Sequence, residues 1–255
     1  MAQRTDNESL STTQTSLQII ESLMELDGAR VTELADEIDR PASTVHNHLC
    51  TLVNEGYVVK DADFYYLSLR FLQLGYYVEN RKREYQLASQ YVDKLNEQTG
   101  LRSLFAVEEH GRVVIMHTRS GDHASWKHEE RGNRLYLHNT AVGKAILAEF
   151  DRDRVEECLD RWDMPEMTDQ TIGDREALFD ELETVKERGY AFNRQENIEG
   201  LLAVATAVKD SVGNVVGAFS VSGAAEGIHE ERFQNELPDV LLSVSNEYEL
   251  DLSLS

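Results

Sequence analysis

Ser43, Thr44, His46, Asn47 and Thr51 fall within nine consecutive residues, and each carries a short side chain with a hydrogen-bonding head. On one helix face, groups of this kind suit the base edges and phosphates of a DNA major groove. A solvated helix face would also be polar. In this acidic chain, however, such a face should carry Asp and Glu, and residues 42–54 contain neither. With Arg40 just before them and Lys60 just after, these residues form a candidate DNA-contacting set.

Chemistry of other kinds finds less support. His138 and Lys144 could serve as acid and base in a small-molecule enzyme, the rival reading, but no carboxylate or nucleophile stands near them at local spacing. Val142-Gly143-Lys144-Ala145 is not a phosphate loop: His138 occupies the place of the first glycine, and Ala145 that of the Ser or Thr. The nucleophile-elbow and dinucleotide-binding glycine patterns are absent. His117, His123, His128 and His138 lie close in sequence, yet have no Cys partner and no helical i, i+4 pairing, so no metal and no cofactor are expected. Cys50 and Cys158 are too isolated for a disulfide framework, and both are expected to be small buried hydrophobes.

The chain has 255 residues, enough for one small and one average domain. With 41% apolar residues and 3 Pro, its composition is that of globular protein. The polar start, Met1 to Ser16, lacks the apolar core of a signal peptide, and the apolar run 201–208 is too short to span a bilayer. A cytoplasmic protein without membrane contact is expected. Its net charge of -22 disfavours nucleic acid in ordinary buffer. Acid excess together with only seven Lys resembles the proteins of salt-in halophiles of the haloarchaeal kind. At molar salt the Debye length is roughly 3 Å, and repulsion from DNA is screened.

The elements that position the first set are legible from apolar spacing. Leu17, Ile20, Leu23 and Met24 mark a helix ended by Asp27-Gly28. Thr32 caps a second helix, 33–38, with Leu34, Ala35 and Ile38 inward, and Asp39-Arg40-Pro41 breaks it. A third helix, about 42–55, buries Val45, Leu49, Leu52 and Val53 and stops at Gly56. Two short helices around a tight turn make a helix-turn-helix, and the runs 57–60 and 64–67 form its wing. A linker pattern (Leu69, Leu72, Tyr76) leads to the basic triplet Arg81-Lys82-Arg83, which suits a helix end as well as DNA. Beyond it come a helix at 85–98, strands at 104–107 and 113–117, and helices at 139–150, 153–161 and 174–188. Strands at 201–209 and 215–221 follow, then a helix at 230–250. Hairpins covered by helices imply an antiparallel α+β domain.

Three ordered phrases carry a resemblance. Arg40-Pro-Ala-Ser-Thr-Val-His-Asn-His-Leu, Thr51-Leu-Val-Asn-Glu-Gly-Tyr-Val and Tyr66-Leu-Ser-Leu-Arg-Phe-Leu-Gln-Leu-Gly75 resemble the IclR family of transcription regulators. Asn47 stands where family members usually have Arg, and Asn is a competent adenine reader. Leu137-His-Asn-Thr-Ala-Val-Gly-Lys-Ala-Ile-Leu-Ala148, Arg188-Gly-Tyr-Ala-Phe-Asn-Arg-Gln-Glu196 with Gly200-Leu-Leu-Ala-Val-Ala205, and 215–223 extend the likeness over nearly the whole chain.

The resemblance implies a winged helix-turn-helix (1–68), a linker helix (69–83) and a GAF-like effector domain (84–255). It also implies a pocket for a small-molecule effector, a sugar-derived or organic acid. Carried over residue by residue, that pocket includes Thr140, Ala141 and Val142 at a helix start, with Asn193, Leu201, Ala203, Ser220 and Ser222. Ala203 and Asn193 replace a common Cys and a common carboxylate, so the pocket is less charged. The loop 120–134, with Trp126, is expected to form a pocket wall or a dimer contact. A homodimer or dimer of dimers on a pseudo-palindromic DNA operator is the implied assembly. A ligand-binding module without DNA binding is the third reading.

Overall fold

The computed structural model describes residues 10–120 and 131–254. The chain divides into two compact units, Met1–Asn80 and Arg81–Ser255.

In the first unit, helix α1 spans Ser11–Glu25, α2 Val31–Glu37 and α3 Ala42–Asn54. Arg30, not Thr32, caps α2: its backbone N–H donates to Glu33 Oε2 at 2.7 Å, which closes the first turn from within the helix. The break before α3 comes from Asp39, with φ of 50°, followed by Pro41 at the N-cap of α3. The core gathers Ile19, Leu23, Leu34, Val45, Leu49 and Leu52 under Val58 and Tyr65 of the wing. Complete burial of each such side chain stabilises by about 1.5–3 kcal/mol. The inward face of α1 differs from expectation: Thr15, Ile19, Ser22 and Leu23 are buried, whereas Leu17 and Met24 are exposed. Apolar residues stand on both sides of α1, so spacing alone does not choose the face.

Strands β1 (Val58–Asp61) and β2 (Phe64–Leu67) pair antiparallel around the two-residue turn Ala62-Asp63. Ala29 adds a bridge to Tyr65. Helix α4, Arg70–Asn80, buries none of its residues within this unit.

The second unit is built on one antiparallel sheet. In chain order its elements are α5 (Arg83–Thr99), β3 (Arg102–Glu109), β4 (Arg112–Arg119), β5 (Arg134–Leu135), α6 (Ala141–Leu147), α7 (Arg152–Trp162) and α8 (Arg175–Arg188). Then follow β6 (Ala191–Arg194), β7 (Leu201–Lys209), β8 (Val215–Ala224) and α9 (Leu237–Ser253). The strand order is β5-β4-β3-β8-β7-β6. β3 turns into β4 through His110-Gly111, both at positive φ (57° and 80°), the backbone that a two-residue hairpin turn requires.

Alternation along each strand sends side chains to opposite faces. Leu104, Ala106, Val113, Ile115, Ala203, Ala205 and Ala218 meet α6, α7 and α8. Phe105, Val107, Val204, Phe219 and Val221 meet α5 and α9. Strands β5 and β6 were not expected, being two and four residues long. The first of these helices is shorter than the expected 139–150, because Thr140 caps α6 and the helix ends at Leu147. A wide π turn at Arg232–Glu236 precedes Pro238 at the start of α9, where proline has no N–H to give.

Candidate DNA-reading face and effector pocket

Helix α3 presents Ser43, His46, Asn47, Cys50 and Thr51 to solvent, with Thr44 half-buried beside them. These positions follow the three- and four-residue steps of one helix face. Val45, Leu49 and Leu52 fix the opposite face in the core. His48 is not part of the outward set: its Nδ1 bonds Ser16 Oγ at 2.8 Å and ties α3 to α1. Thr51 Oγ1 donates to Asn47 O at 3.1 Å, so its lone pairs remain to accept. Arg40 is exposed at the break before α3, and exposed Lys60 of β1 lies over the Tyr65 ring at 5.4 Å.

The expectation that Cys50 is buried is corrected. It lies exposed on the outward face of α3, 3.7 Å from His46 Nδ1, because the three-residue step from Asn47 carries it outward. Cys158 is buried, and burial pushes its thiol up.

Between residues 10 and 80 the chain has eleven Asp and Glu against four Arg and Lys. Two of the three arginines among them are engaged locally. Arg30 stacks on Phe64 at 4.3 Å, and Arg70 stacks on Tyr57 at 4.4 Å while donating to Glu55 O. The acid-free α3 is therefore the part of this unit that a polyanion can approach with least repulsion.

In the second unit, Thr140, Ala141, Val142, Asn193, Leu201, Ala203, Ser220 and Ser222 all line one pocket. Register explains the convergence. Ala203 opposes Ser222, Ala205 opposes Ser220, and Ser220 also opposes Leu104, which puts these side chains on one sheet face beneath the start of α6. Leu104, Leu135 and Asn197 complete the lining and were missed. The alternation of β3 could have found Leu104. The pocket volume is about 20 Å³, near that of a single water at ~10–15 Å³ by the same measure. Any organic effector must widen it.

Asn193, Asn197, Ser220 and Thr140 of the pocket already hold partners within the protein. Asn193 Nδ2 donates to Asn139 O at 2.9 Å and to Asn197 Oδ1 at 2.8 Å, and its Oδ1 accepts from Glu196 N. Ser220 Oγ donates to Val204 O at 2.9 Å. Thr140 Oγ1 accepts from Gly143 N at 3.1 Å, so one N–H at the start of α6 is already satisfied. Gly143 permits a close crossing: a Cβ there would lie 2.1 Å from Leu137 O.

His138 and Lys144 hold protein partners rather than facing an open site. His138 Nε2 meets Pro165 O at 3.1 Å. Burial keeps its imidazole below the ordinary value, against the raising effect of that bond. Lys144, 2% exposed, places Nζ 2.8 Å from both carboxylate oxygens of Glu196 and 3.4 Å from Glu181 Oε1. That carboxylate, remote in sequence, was missed. A lysine in an otherwise apolar helix was the signal, since a buried ammonium needs a partner. His117 Nε2 meets Tyr85 O at 2.6 Å. His123, His128, Trp126 and most of the loop 120–134 lie outside the described residues. Among the described residues no group of His, Cys, Asp or Glu could hold a metal ion, and no helix is long and apolar enough to cross a membrane.

Comparison with known proteins agrees with both halves. The IclR helix-turn-helix domain profile matches residues 13–62, and the profile described as "Bacterial transcriptional regulator IclR C-terminal" matches residues 82–246. A protein of Halobacterium salinarum named "Probable HTH-type transcriptional regulator ArcR" is 28% identical over 241 residues, covering 93% of this chain and 92% of that one. The crystal structure of Thermotoga maritima IclR superposes with a TM-score of 0.79 at 24% identity, over 96% of this chain and 99% of that one. An IclR homologue from Microbacterium hydrocarbonoxydans, solved with 4-hydroxybenzoate, gives 0.79 at 21% identity, over 94% and 100%.

Proposed function

This chain belongs to the IclR family of transcriptional regulators, and on that premise we propose that it binds a specific pseudo-palindromic operator under the control of a small-molecule effector. The observation that carries the proposal is α3: an acid-free outward face in an acidic unit, with Ser43, His46 and Asn47 exposed at helical spacing. Arg40, Ser43, Thr44, His46, Asn47, Thr51 and Lys60 are the proposed DNA contacts. Phosphate contacts set the register and Asn47 reads a base edge.

Thr140, Ala141, Val142, Asn193, Leu201, Ala203, Ser220 and Ser222 are the proposed effector contacts. Their convergence on one pocket supports that assignment, and the 4-hydroxybenzoate of the Microbacterium protein accords with a small acid or sugar derivative as effector. The proposed organisation is a DNA-reading domain to residue 68, a linker helix to 83 and a sensing domain beyond. A homodimer or dimer of dimers in the cytoplasm of a salt-in halophile would present two copies of α3 to successive major grooves. An effector with unequal affinity for two dimer arrangements shifts their equilibrium and so changes operator occupancy.

The family is one of regulators, not enzymes. The test is selection of randomised duplexes by the full chain in molar potassium chloride. Enrichment of a palindrome is expected. The absence of any enriched sequence from low to molar salt would favour a ligand-binding module that does not read DNA.

A further inference from the structure

The last carbonyls of a helix have no partner within it. At the end of α3, Gly56 turns the chain at φ of 77°, its N–H donating to Val53 O at 3.0 Å and that of Tyr57 to Leu52 O at 2.8 Å. The carbonyls that follow are met from beyond the wing. Arg70 Nη1 donates to Glu55 O, Ser68 Oγ to Gly56 O, and Ser68 N–H to Tyr57 O at 3.0 Å. The Arg70 guanidinium also lies over the Tyr57 ring at 4.4 Å, and that ring meets the Phe71 ring edge-on at 5.6 Å. A cation there faces the negative end of the α3 dipole. Ser68 Oγ in turn accepts from Arg70 N–H at 3.3 Å, so α4 starts where α3 is capped. Helix α4 buries none of its residues within this unit, and of residues 70–78 only Phe71 is half-buried. The contacts of its first turn therefore fix its direction against α3.

We infer that Arg70 is a positioning residue for DNA reading: by capping the end of α3 from the start of α4, it sets the angle at which α3 enters the groove. The inference rests on the DNA-reading function proposed above. Arg70 needs no contact with DNA for this, since Glu55 O and the Tyr57 ring already occupy its guanidinium. A planar guanidinium stacks on a ring while its edge donates to a carbonyl, a combination that an ammonium cannot make at once. The leverage is large. Ser43 stands six residues, roughly 9 Å, along the helix from the core residue Leu49. Pivoting there, a tilt of about 10° displaces Ser43 by ~1.6 Å, more than a hydrogen bond to a base edge tolerates.

The test uses the full chain and the duplex that it enriches most strongly from a randomised pool, with a shuffled duplex as the non-specific reference. In Arg70→Ala, affinity for the enriched duplex is expected to fall about 5- to 150-fold, the size of one base contact. Affinity for the shuffled duplex stays unchanged, and so does the dependence of binding on potassium chloride. Arg70→Lys, which keeps the charge but not the planar fork, recovers only part of the loss. Circular dichroism checks that each variant is folded. Should Arg70→Ala not fold, Ser68→Ala, which takes the hydroxyl donor from Gly56 O, carries the same expectation. Undiminished affinity in the folded variant would overturn the inference. So would equal losses on both duplexes with a salt slope flatter by about 0.9, the mark of a direct phosphate contact. A wild-type chain that enriches no duplex removes the DNA-reading proposal itself, whereas an enriched duplex bound equally well without Arg70 removes only this inference.

Discussion

Lys144 and Glu196 form a buried ion pair across 52 residues of sequence, with Nζ 2.8 Å from each carboxylate oxygen. The pair joins α6, whose first residues line the pocket, to the segment that follows Asn193 of β6 and brings Asn197 to it. Glu181 adds a second contact to the lysine and is itself held by Arg188 at 3.1 Å. Removing one partner of such a pair strands the other as a buried charge, at about 3–5 kcal/mol. Glu196→Ala is therefore expected to lower unfolding stability by that amount. Lys144→Met with Glu196→Ala should cost less than the sum of the singles. Denaturant unfolding measures both, and a single variant within about 1 kcal/mol of wild type would contradict the account.

The close crossing at Gly143 makes a second expectation. A Cβ there would lie 2.1 Å from Leu137 O and 2.5 Å from Leu137 Cα, backbone atoms that cannot turn aside. Gly143→Ala should destabilise by about 1–3 kcal/mol through overpacking and displace the start of α6. A thermal melt unchanged from wild type would show that the crossing is looser than described.

Burial holds the His138 imidazole below its ordinary value of 6.5, so the folded chain prefers it neutral. The unfolded chain binds the proton first as pH falls. The stability contributed by neutral His138 is thus complete above the unfolded value. It is lost as pH drops below 6.5 toward the lowered folded value, at no more than about 1.4 kcal/mol per pH unit. Urea unfolding of wild type should weaken between pH 7.5 and 5.5, and His138→Gln should flatten that slope. Identical slopes would remove His138 as the cause.

Cys50 offers a direct report on α3. Exposed Cys50 should react with a maleimide at once, while buried Cys158, its thiol pushed up by burial, should not react before unfolding. Operator DNA should protect Cys50, since it shares the outward face with Asn47 and Thr51. Equal labelling with and without a bound operator would place that face outside the groove.

Much of this was legible in the sequence because helical spacing and turn signals are local features. The 3.6-residue period set α3 and its buried Val45, Leu49 and Leu52, and apolar runs on either side of the turn signal at 210–214 set the long strands β7 and β8. The converging pocket residues were placed by likeness to a family rather than by spacing, since register between distant strands is not written locally. What escaped had physical reasons. β6 is four residues with a polar half, too short to show a period. Leu17 and Ile19 compete for the inner face of α1, and packing with α3 and the wing decides for Ile19. Glu196 and Asn197 reach the site only through the chain reversal after β6.

DNA reading by α3, proposed above, is tested most directly by genome-wide occupancy of the tagged protein in its own cells. The control is Ser43→Ala with Asn47→Ala, two exposed positions whose loss should leave the fold intact. Loss of one bidentate base contact is worth about 1–3 kcal/mol. Discrete promoter peaks sharing a palindrome are expected, reduced about 5- to 150-fold in the control. Peaks that persist unchanged in the control, or none under any growth condition, would contradict it.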